Sequence, residues 1–191
     1  SEVVALASAR SVGTEISFGD KDLKSQDLAK YDFKGTDFVF SSPGAAVSAE
    51  YSPIAAKAGA IVIDNTSHFR MEHDVPLVVP EVNPHALKNY TKRNIIANPN
   101  CSTIQMLVAL KPLHDAANIK RIVVSTYQSV SGAGKEAMDE LFNQSRTFFM
   151  NNEPKSEVFS KQIAFNVIPQ IDKFIESGEY AGMTKEEWKM V

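Results

Sequence analysis

The run DFVFSSPGAAVSAEYSPIAAKAGAIVI, residues 37–63, decides the fold. It opens on Asp37-Phe38-Val39-Phe40 and closes on Ala60-Ile61-Val62-Ile63, two apolar runs of strand length without polar alternation. Between them, residues 45–58 read as a helix in spite of Pro53. Strands that are apolar on both faces and joined through a helix belong to a parallel sheet covered on both sides. Working outward, residues 3–7 (Val3-Val4-Ala5-Leu6-Ala7), 77–79 (Leu77-Val78-Val79) and 94–97 supply further strands of the same kind. The prediction is an α/β chain that begins as a Rossmann-like, doubly wound parallel sheet.

Beyond residue 100 the elements lengthen. Residues 101–117 predict a helix with Ile104, Leu107, Val108, Leu110 and Leu113 on one broad face. A strand is expected over 121–127, then a Gly-rich turn, a helix over 134–150 and a polar, mobile loop over 151–162. The domain boundary falls near residue 100, which gives domains 1–100 and 101–191, the second of α+β type. The chain begins directly in an apolar run without Met and stops in a helical pattern, so it reads as an internal piece of a longer chain.

With 191 residues, 43% hydrophobic, 23% charged and a formal charge of −3, the composition is that of an ordinary globular protein. There is no basic surplus to serve nucleic acid, and no apolar stretch or leader pattern to suggest a membrane or secretion. A single cysteine excludes an intrachain disulfide and a cysteine-rich metal site, and fits a reducing cytoplasm.

That cysteine, Cys101, lies in Asn98-Pro99-Asn100-Cys101-Ser102-Thr103, where an apolar strand gives way to a helix. A sulfur at a helix N-terminus faces unpaired backbone N–H groups and the positive end of the helix dipole, a setting suited to a nucleophile. A buried cysteine packed as a small hydrophobe is the competing reading. Gln128, after the strand Ile122-Val123-Val124, brings an amide that both donates to and accepts from a carbonyl substrate. Ser131, Ala133 and Gly134 follow it in a turn that either wraps a phosphate or nicotinamide or simply joins a strand to a helix.

Ser8, Arg10 and Ser11 follow the first strand, where an arginine accommodates the 2′-phosphate of NADP; a solvated surface arginine is the alternative. Ser42 and Gly44 sit in a small-residue turn between strand and helix, open to the approach of a phosphate or ribose. Arg70, after the strand Ile61-Val62-Ile63, suits a two-point grip on an oxyanion, whereas Arg93 beside Lys92 reads as a solvated turn. The histidines 68, 73, 85 and 114 show no metal-ligand spacing, so no metal site is expected, and His114 reads as structural or surface.

The segments LASARSVG (6–13), NTSHFRM (65–71), VPLVVPEVNPHAL (75–87), NPNCSTIQM (98–106), VSTYQSVSGAGKEAM (124–138), IAFNVIPQID (163–172) and EEWKM (186–190) together resemble the aspartate-semialdehyde dehydrogenase family. NPNCSTIQ and TYQSVSGAG are specific to it; SARS and the Gly/Ala turns are not. The resemblance implies conversion of L-4-aspartyl phosphate and NADPH to L-aspartate 4-semialdehyde, NADP and phosphate. That step feeds lysine (through diaminopimelate), threonine, methionine and isoleucine synthesis.

It further implies a partial NADP-binding domain over 1–100, a partial catalytic and dimerisation domain over 101–191, and a cytoplasmic homodimer or homotetramer. By position, Cys101 matches the nucleophile, Gln128 the substrate-orienting amide and Arg70 the arginine at the phosphoryl group. Glu186 and Lys189 match the pair at the substrate amino group and phosphate; on spacing alone they are an i,i+3 ion pair on a solvated face. Ser8, Arg10 and Ser11 match the 2′-phosphate site, and Ser131, Ala133 and Gly134 the loop beside the nucleotide. The family's Gly-rich first loop is expected before Ser1, and its acid/base histidine and second substrate arginine after Val191. The alternatives are an N-acetyl-glutamyl-phosphate reductase, a glyceraldehyde-3-phosphate dehydrogenase, and a truncated, non-catalytic module that binds a nucleotide or a partner. An acidic partner for a free amino group, Glu186, favours the aspartyl enzyme.

Overall fold

In the computed structural model, which describes residues 2–191, the two halves of the 37–63 run lie side by side. The chain divides into two compact units, the first ending at Pro99 and the second Asn100–Val191.

The first unit begins with β1 (Leu6–Ala7), a hairpin of β2 (Glu15–Phe18) and β3 (Lys21–Lys24), and β4 (Gln26–Asp27), which pairs parallel with β1. Then come β5 (Phe38–Ser41), α1 (Ala45–Lys57), β6 (Ile61–Asp64) and β7 (Ile95–Ala97). These three strands form a parallel sheet in the order β5-β6-β7, with Phe38 opposite Ile61 and Val62 opposite Ile95. The arrangement is the α/β, Rossmann-like one. Its core gathers Ala55 and Ala56 of α1, Val62, Ile95 and Ala97 of the sheet, and Phe33, Phe69 and Val75 from loops.

At the end of β6, Asp64 is fully buried. A buried carboxylate must be hydrogen-bonded, and this one is. Oδ2 accepts from Ser48 and from Ser52 (3.2 Å) on α1, and Oδ1 from the backbone N–H and hydroxyl of Thr66 (both 2.7 Å). The serines on the inner face of α1 thus tie the helix to the strand end and shape the turn that follows.

The second unit contains α2 (Cys101–Ala117), α3 (Lys135–Phe149) and the short α4 (Lys185–Trp188). A single antiparallel bridge, Phe174 to Thr184, closes a small hairpin ahead of α4. Thr184 and Glu187 form a reciprocal capping box that starts the helix.

Several sequence expectations need correction. The strand over 3–7 is only Leu6–Ala7, because its partner β4 is two residues long. The run 77–79 makes one bridge, Leu77 to Ala97, and no strand. Pro76 and Pro80 bracket it and have no N–H for a ladder. The 121–127 segment forms no strand among the described residues and is exposed, Tyr127 to 87%. An apolar run becomes a strand only when a partner strand is beside it.

The 151–162 segment is irregular as expected but is not a free tether. Glu140 of α3 accepts from the backbone N–H groups of Glu157 (2.9 Å) and Phe159 (3.4 Å), while Gln144 donates to the Lys155 carbonyl (2.8 Å). The expected apolar face of α2 is only partly covered: Ile104, Leu107 and Leu110 are half-buried, while Val108 and Leu113 are exposed.

Candidate active site

The second unit's polar centre is built on two helix starts. α2 begins at Cys101, and Asn100 is its cap: Oδ1 accepts from the N–H groups of Ser102 (3.0 Å) and Thr103 (3.2 Å). Two of the backbone donors that the sequence reading left open to the sulfur are therefore taken by Asn100. Cys101 itself is exposed and unbridged, and Gln105 Nε2 donates to its carbonyl at 3.3 Å.

Asn100 has a second role, which sequence reasoning missed. Its Nδ2 donates to Glu186 Oε1 at 3.0 Å. Gln128 Nε2 donates to the same oxygen at 3.1 Å, and Lys189 Nζ donates to Oε2 at 3.0 Å. Thr103 Oγ1 donates to the Lys189 carbonyl at 3.0 Å, a further tie between α2 and the residues at the end of α4. Gln128, Glu186 and Lys189, far apart in sequence, thus share one hydrogen-bonded cluster at the Cys101 end of α2.

Glu186 is only 7% exposed, so it is not on a solvated face. Burial raises a carboxyl's pKa, but the hydrogen bonds from Gln128, Asn100 and Lys189 outweigh it, and Glu186 titrates below the ordinary value. The cluster holds a carboxylate charged.

Asp172 is the other member that sequence reasoning did not single out. Its Oδ2 accepts from Lys189 Nζ at 3.2 Å and its Oδ1 from the Lys173 N–H at 2.8 Å. Desolvation opposes its charge, yet the Lys173 N–H and Lys189 lower its pKa. Ser131 and Ala133 lie on an exposed 3-10 turn, with Gly134 at φ 92° as the N-cap of α3; the hydroxyls of Ser129 and Ser131 are 2.7 Å apart.

The first unit carries the remaining residues. Ser8 precedes, and Arg10 and Ser11 lie in, a 3-10 turn after β1, all exposed. Ser42 and Gly44 occupy the turn from β5 to α1, where Gly44 has φ 97° and a Cβ would meet nothing within 4 Å. An exposed arginine with serines close by in sequence, and an open backbone turn at a helix start, are features that suit a phosphate-bearing ligand.

Arg70 is half-buried; its Nε donates to the Asn98 carbonyl (2.9 Å) and its Nη2 to the Asn65 carbonyl (3.2 Å). Asn98 Nδ2 also donates to Asn65 Oδ1 at 2.7 Å. The fork assigned to an oxyanion therefore also locks the ends of β6 and β7 together. Arg93 is not a solvated turn arginine: it pairs with Asp74 (3.2 Å) and Glu72 (3.5 Å) and stands 5.2 Å from the Phe69 ring centre. Those partners lie about twenty residues upstream, beyond the reach of a local reading. His114 is exposed on α2. Among the described residues, no group of three or more His, Cys, Asp or Glu side chains is arranged to hold a metal.

Comparison with known proteins places both units. The family model for the semialdehyde dehydrogenase NAD binding domain matches residues 1–90, and that for the semialdehyde dehydrogenase dimerisation domain matches 110–191. The chain is 56% identical to an aspartate-semialdehyde dehydrogenase of Shewanella sp. (strain DB6705), covering 97% of this chain and 54% of the relative. It is 54% identical to aspartate-semialdehyde dehydrogenase 2 of Vibrio cholerae, covering 100% and 55% respectively. It therefore spans about half the length of the curated relatives it matches. A crystal structure of aspartate semialdehyde dehydrogenase II from Vibrio cholerae, complexed with ASA, superposes with a TM-score of 0.93 at 53% identity, over 100% of this chain and 55% of that one.

Proposed function

The chain belongs to the semialdehyde dehydrogenase family, and from that premise we propose that it carries the core of an NADP-dependent aspartate-semialdehyde dehydrogenase. The reaction is the reductive dephosphorylation of L-4-aspartyl phosphate to L-aspartate 4-semialdehyde. It would serve lysine (through diaminopimelate), threonine, methionine and isoleucine synthesis in the cytoplasm.

The observation that carries this reading is the Asn100–Glu186 hydrogen bond at 3.0 Å. It fastens the helix start that bears Cys101 to a buried, charged carboxylate. A free α-amino group needs such an anion, whereas an N-acetylated substrate offers no cation for it. Gln128, bonded to the same carboxylate, is the amide proposed to orient the substrate.

On this reading the Cys101 sulfur attacks the acyl carbon of the acyl phosphate, a mixed anhydride. The carbon–oxygen bond to phosphate breaks, phosphate departs with the bonding pair, and a thioester remains on Cys101. Lys189 and Arg70 are the cations proposed to hold the phosphoryl group. Ser8, Arg10, Ser11, Ser42, Gly44, Ser131, Ala133 and Gly134 are the residues proposed to hold NADP(H), Arg10 reading its 2′-phosphate. The chemistry that group supplies when bound is hydride for the acyl carbon. Cys101 is then expelled as the leaving group, a role sulfur fills readily.

The exposed Met138, Phe142, Phe148 and Phe149 on α3 suit a contact in a homodimer or homotetramer.

The test is Cys101→Ser in the complete enzyme, assayed as phosphate-dependent formation of NADPH from aspartate semialdehyde. Turnover is lost while NADPH binding, followed by fluorescence, is retained. Near-normal turnover in the serine variant would refute the covalent route.

A further inference from the structure

Asp172 is drawn into the cluster by the backbone. It has φ 66°, in the left-handed region that aspartate and asparagine tolerate and most residues avoid. The next residues enter the small hairpin: the Lys185 N–H donates to the Lys173 carbonyl at 2.9 Å and the Ile175 N–H to the Met183 carbonyl at 2.8 Å. That register sets Asp172 beside the first turn of α4, within reach of Lys189 one turn on. Its two oxygens are committed separately, Oδ1 to the Lys173 N–H and Oδ2 to the Lys189 ammonium.

We propose that Asp172 is a positioning residue that holds the Lys189 ammonium between itself and Glu186, keeping the lysine available to the phosphoryl group. The inference rests on the proposed function, in which Lys189 meets phosphate and Glu186 the amino group.

A lysine has a long, flexible stem whose ordering costs entropy. With Glu186 as its one partner, the ammonium would close onto that carboxylate, neutralising it and leaving neither group for the substrate. With Asp172 on the other side, at 3.2 Å against 3.0 Å for Glu186, Lys189 is shared. The trio carries a net charge of −1, so Glu186 keeps an uncompensated charge for a substrate ammonium. Its other oxygen meets only the neutral amides of Asn100 and Gln128.

The sign of the effect separates positioning from simple electrostatics. Asp172→Asn removes a negative charge near the phosphate ligand, so Coulomb's law alone lowers the phosphate KM. Loss of positioning raises it. The amide suits the left-handed backbone, but its single acceptor oxygen serves only one of the two donors.

In the complete enzyme, with inorganic phosphate and aspartate semialdehyde varied in turn, Asp172→Asn is expected to raise the phosphate KM by roughly fivefold, the worth of one partly exposed ion pair. The semialdehyde KM and kcat at saturating phosphate should move far less. Lys189→Met, measured alongside, raises the phosphate KM at least as much. A phosphate KM in Asp172→Asn that falls or is unchanged, with Lys189→Met still impaired, overturns the inference and leaves the proposed function standing. Equal rises in both KM values with a lowered melting temperature would reduce Asp172 to a structural role. If Lys189→Met also leaves the phosphate KM unchanged, the assignment of Lys189 fails, and the inference with it.

Discussion

Replacing Glu186 by glutamine tests the centre of the cluster most directly. Every neighbour of that carboxylate is a donor: Asn100 and Gln128 on Oε1, Lys189 on Oε2. An amide fits in neither orientation. With its oxygen toward the two amides, its own NH₂ points at the ammonium; turned over, it points at the amides. Hydrogen bonds to a charged group contribute about 1.5–3 kcal/mol each. Breaking a wholly buried pair costs about 3–5 kcal/mol, but here Lys189 keeps Asp172 and its side chain stays 22% exposed. The expected loss for Glu186→Gln at neutral pH is therefore about 2–3 kcal/mol.

Urea unfolding of the complete enzyme measures it, with Trp188, the one tryptophan in this chain, as a probe two residues away on α4. The pH dependence gives a second reading. Glu186 is buried, which raises its pKa, but its three donors lower it further, so the folded value lies below the unfolded one. The stability it contributes is full above the unfolded pKa and is lost as pH falls through the lowered folded value. The gap between wild type and Glu186→Gln should thus be widest near neutrality and shrink below about pH 4. A cost under about 0.5 kcal/mol, or a gap that does not narrow in acid, would refute the account of Glu186 as a held carboxylate.

Three further outcomes test the first unit. Arg10→Ala should raise the KM for NADPH more than that for NADH, and equal effects would show that Arg10 does not read the 2′-phosphate. Arg70→Lys should lower phosphate-dependent oxidation of the semialdehyde by about tenfold or more, equivalent to about 1.4 kcal/mol, because lysine keeps the charge but not the planar fork. Arg93→Lys should leave the phosphate KM unchanged, since Arg93 faces Glu72, Asp74 and Phe69; a larger effect at Arg93 than at Arg70 would reverse the assignment.

The α/β layout was legible because burial on both faces leaves unbroken apolar runs, and Phe38–Ser41 and Ile61–Asp64 are two such runs with a helix between them. What could not be read was pairing. Among the described residues, the 121–127 run has strand composition but no strand beside it, and 77–79 has one bridge between two prolines. The β2–β3 hairpin was missed for the opposite reason. Ile16 and Phe18 alternate with polar residues up to Gly19-Asp20, a hairpin pattern with a turn signal, but nearly all of its residues are exposed. Its apolar positions made no core run for the eye to follow. The polar pinning of 151–162 was hidden because Glu140 and Gln144 look like the solvated residues of an amphipathic helix.

The candidate site divides in the same way. Cys101 announced itself through local chemistry, a thiol at a helix start. Glu186 and Lys189 looked like an exposed i,i+3 pair, and only resemblance lifted them above that. What separates the two readings is burial and the donors at 3.0–3.1 Å from Asn100 and Gln128, 86 and 58 residues away. No local pattern carries such information. Asn100 could have been anticipated in part: asparagine before a helix is a cap signal. A cap uses the side-chain oxygen, however, and leaves the NH₂ to find an acceptor. Asn100 is buried, and in a buried place that acceptor is best an anion, which makes an asparagine cap beside a cysteine a pointer to a nearby carboxylate. Asp172 gave no such local signal: its positive φ shows only in the fold, where the side chain has Lys189 to reach.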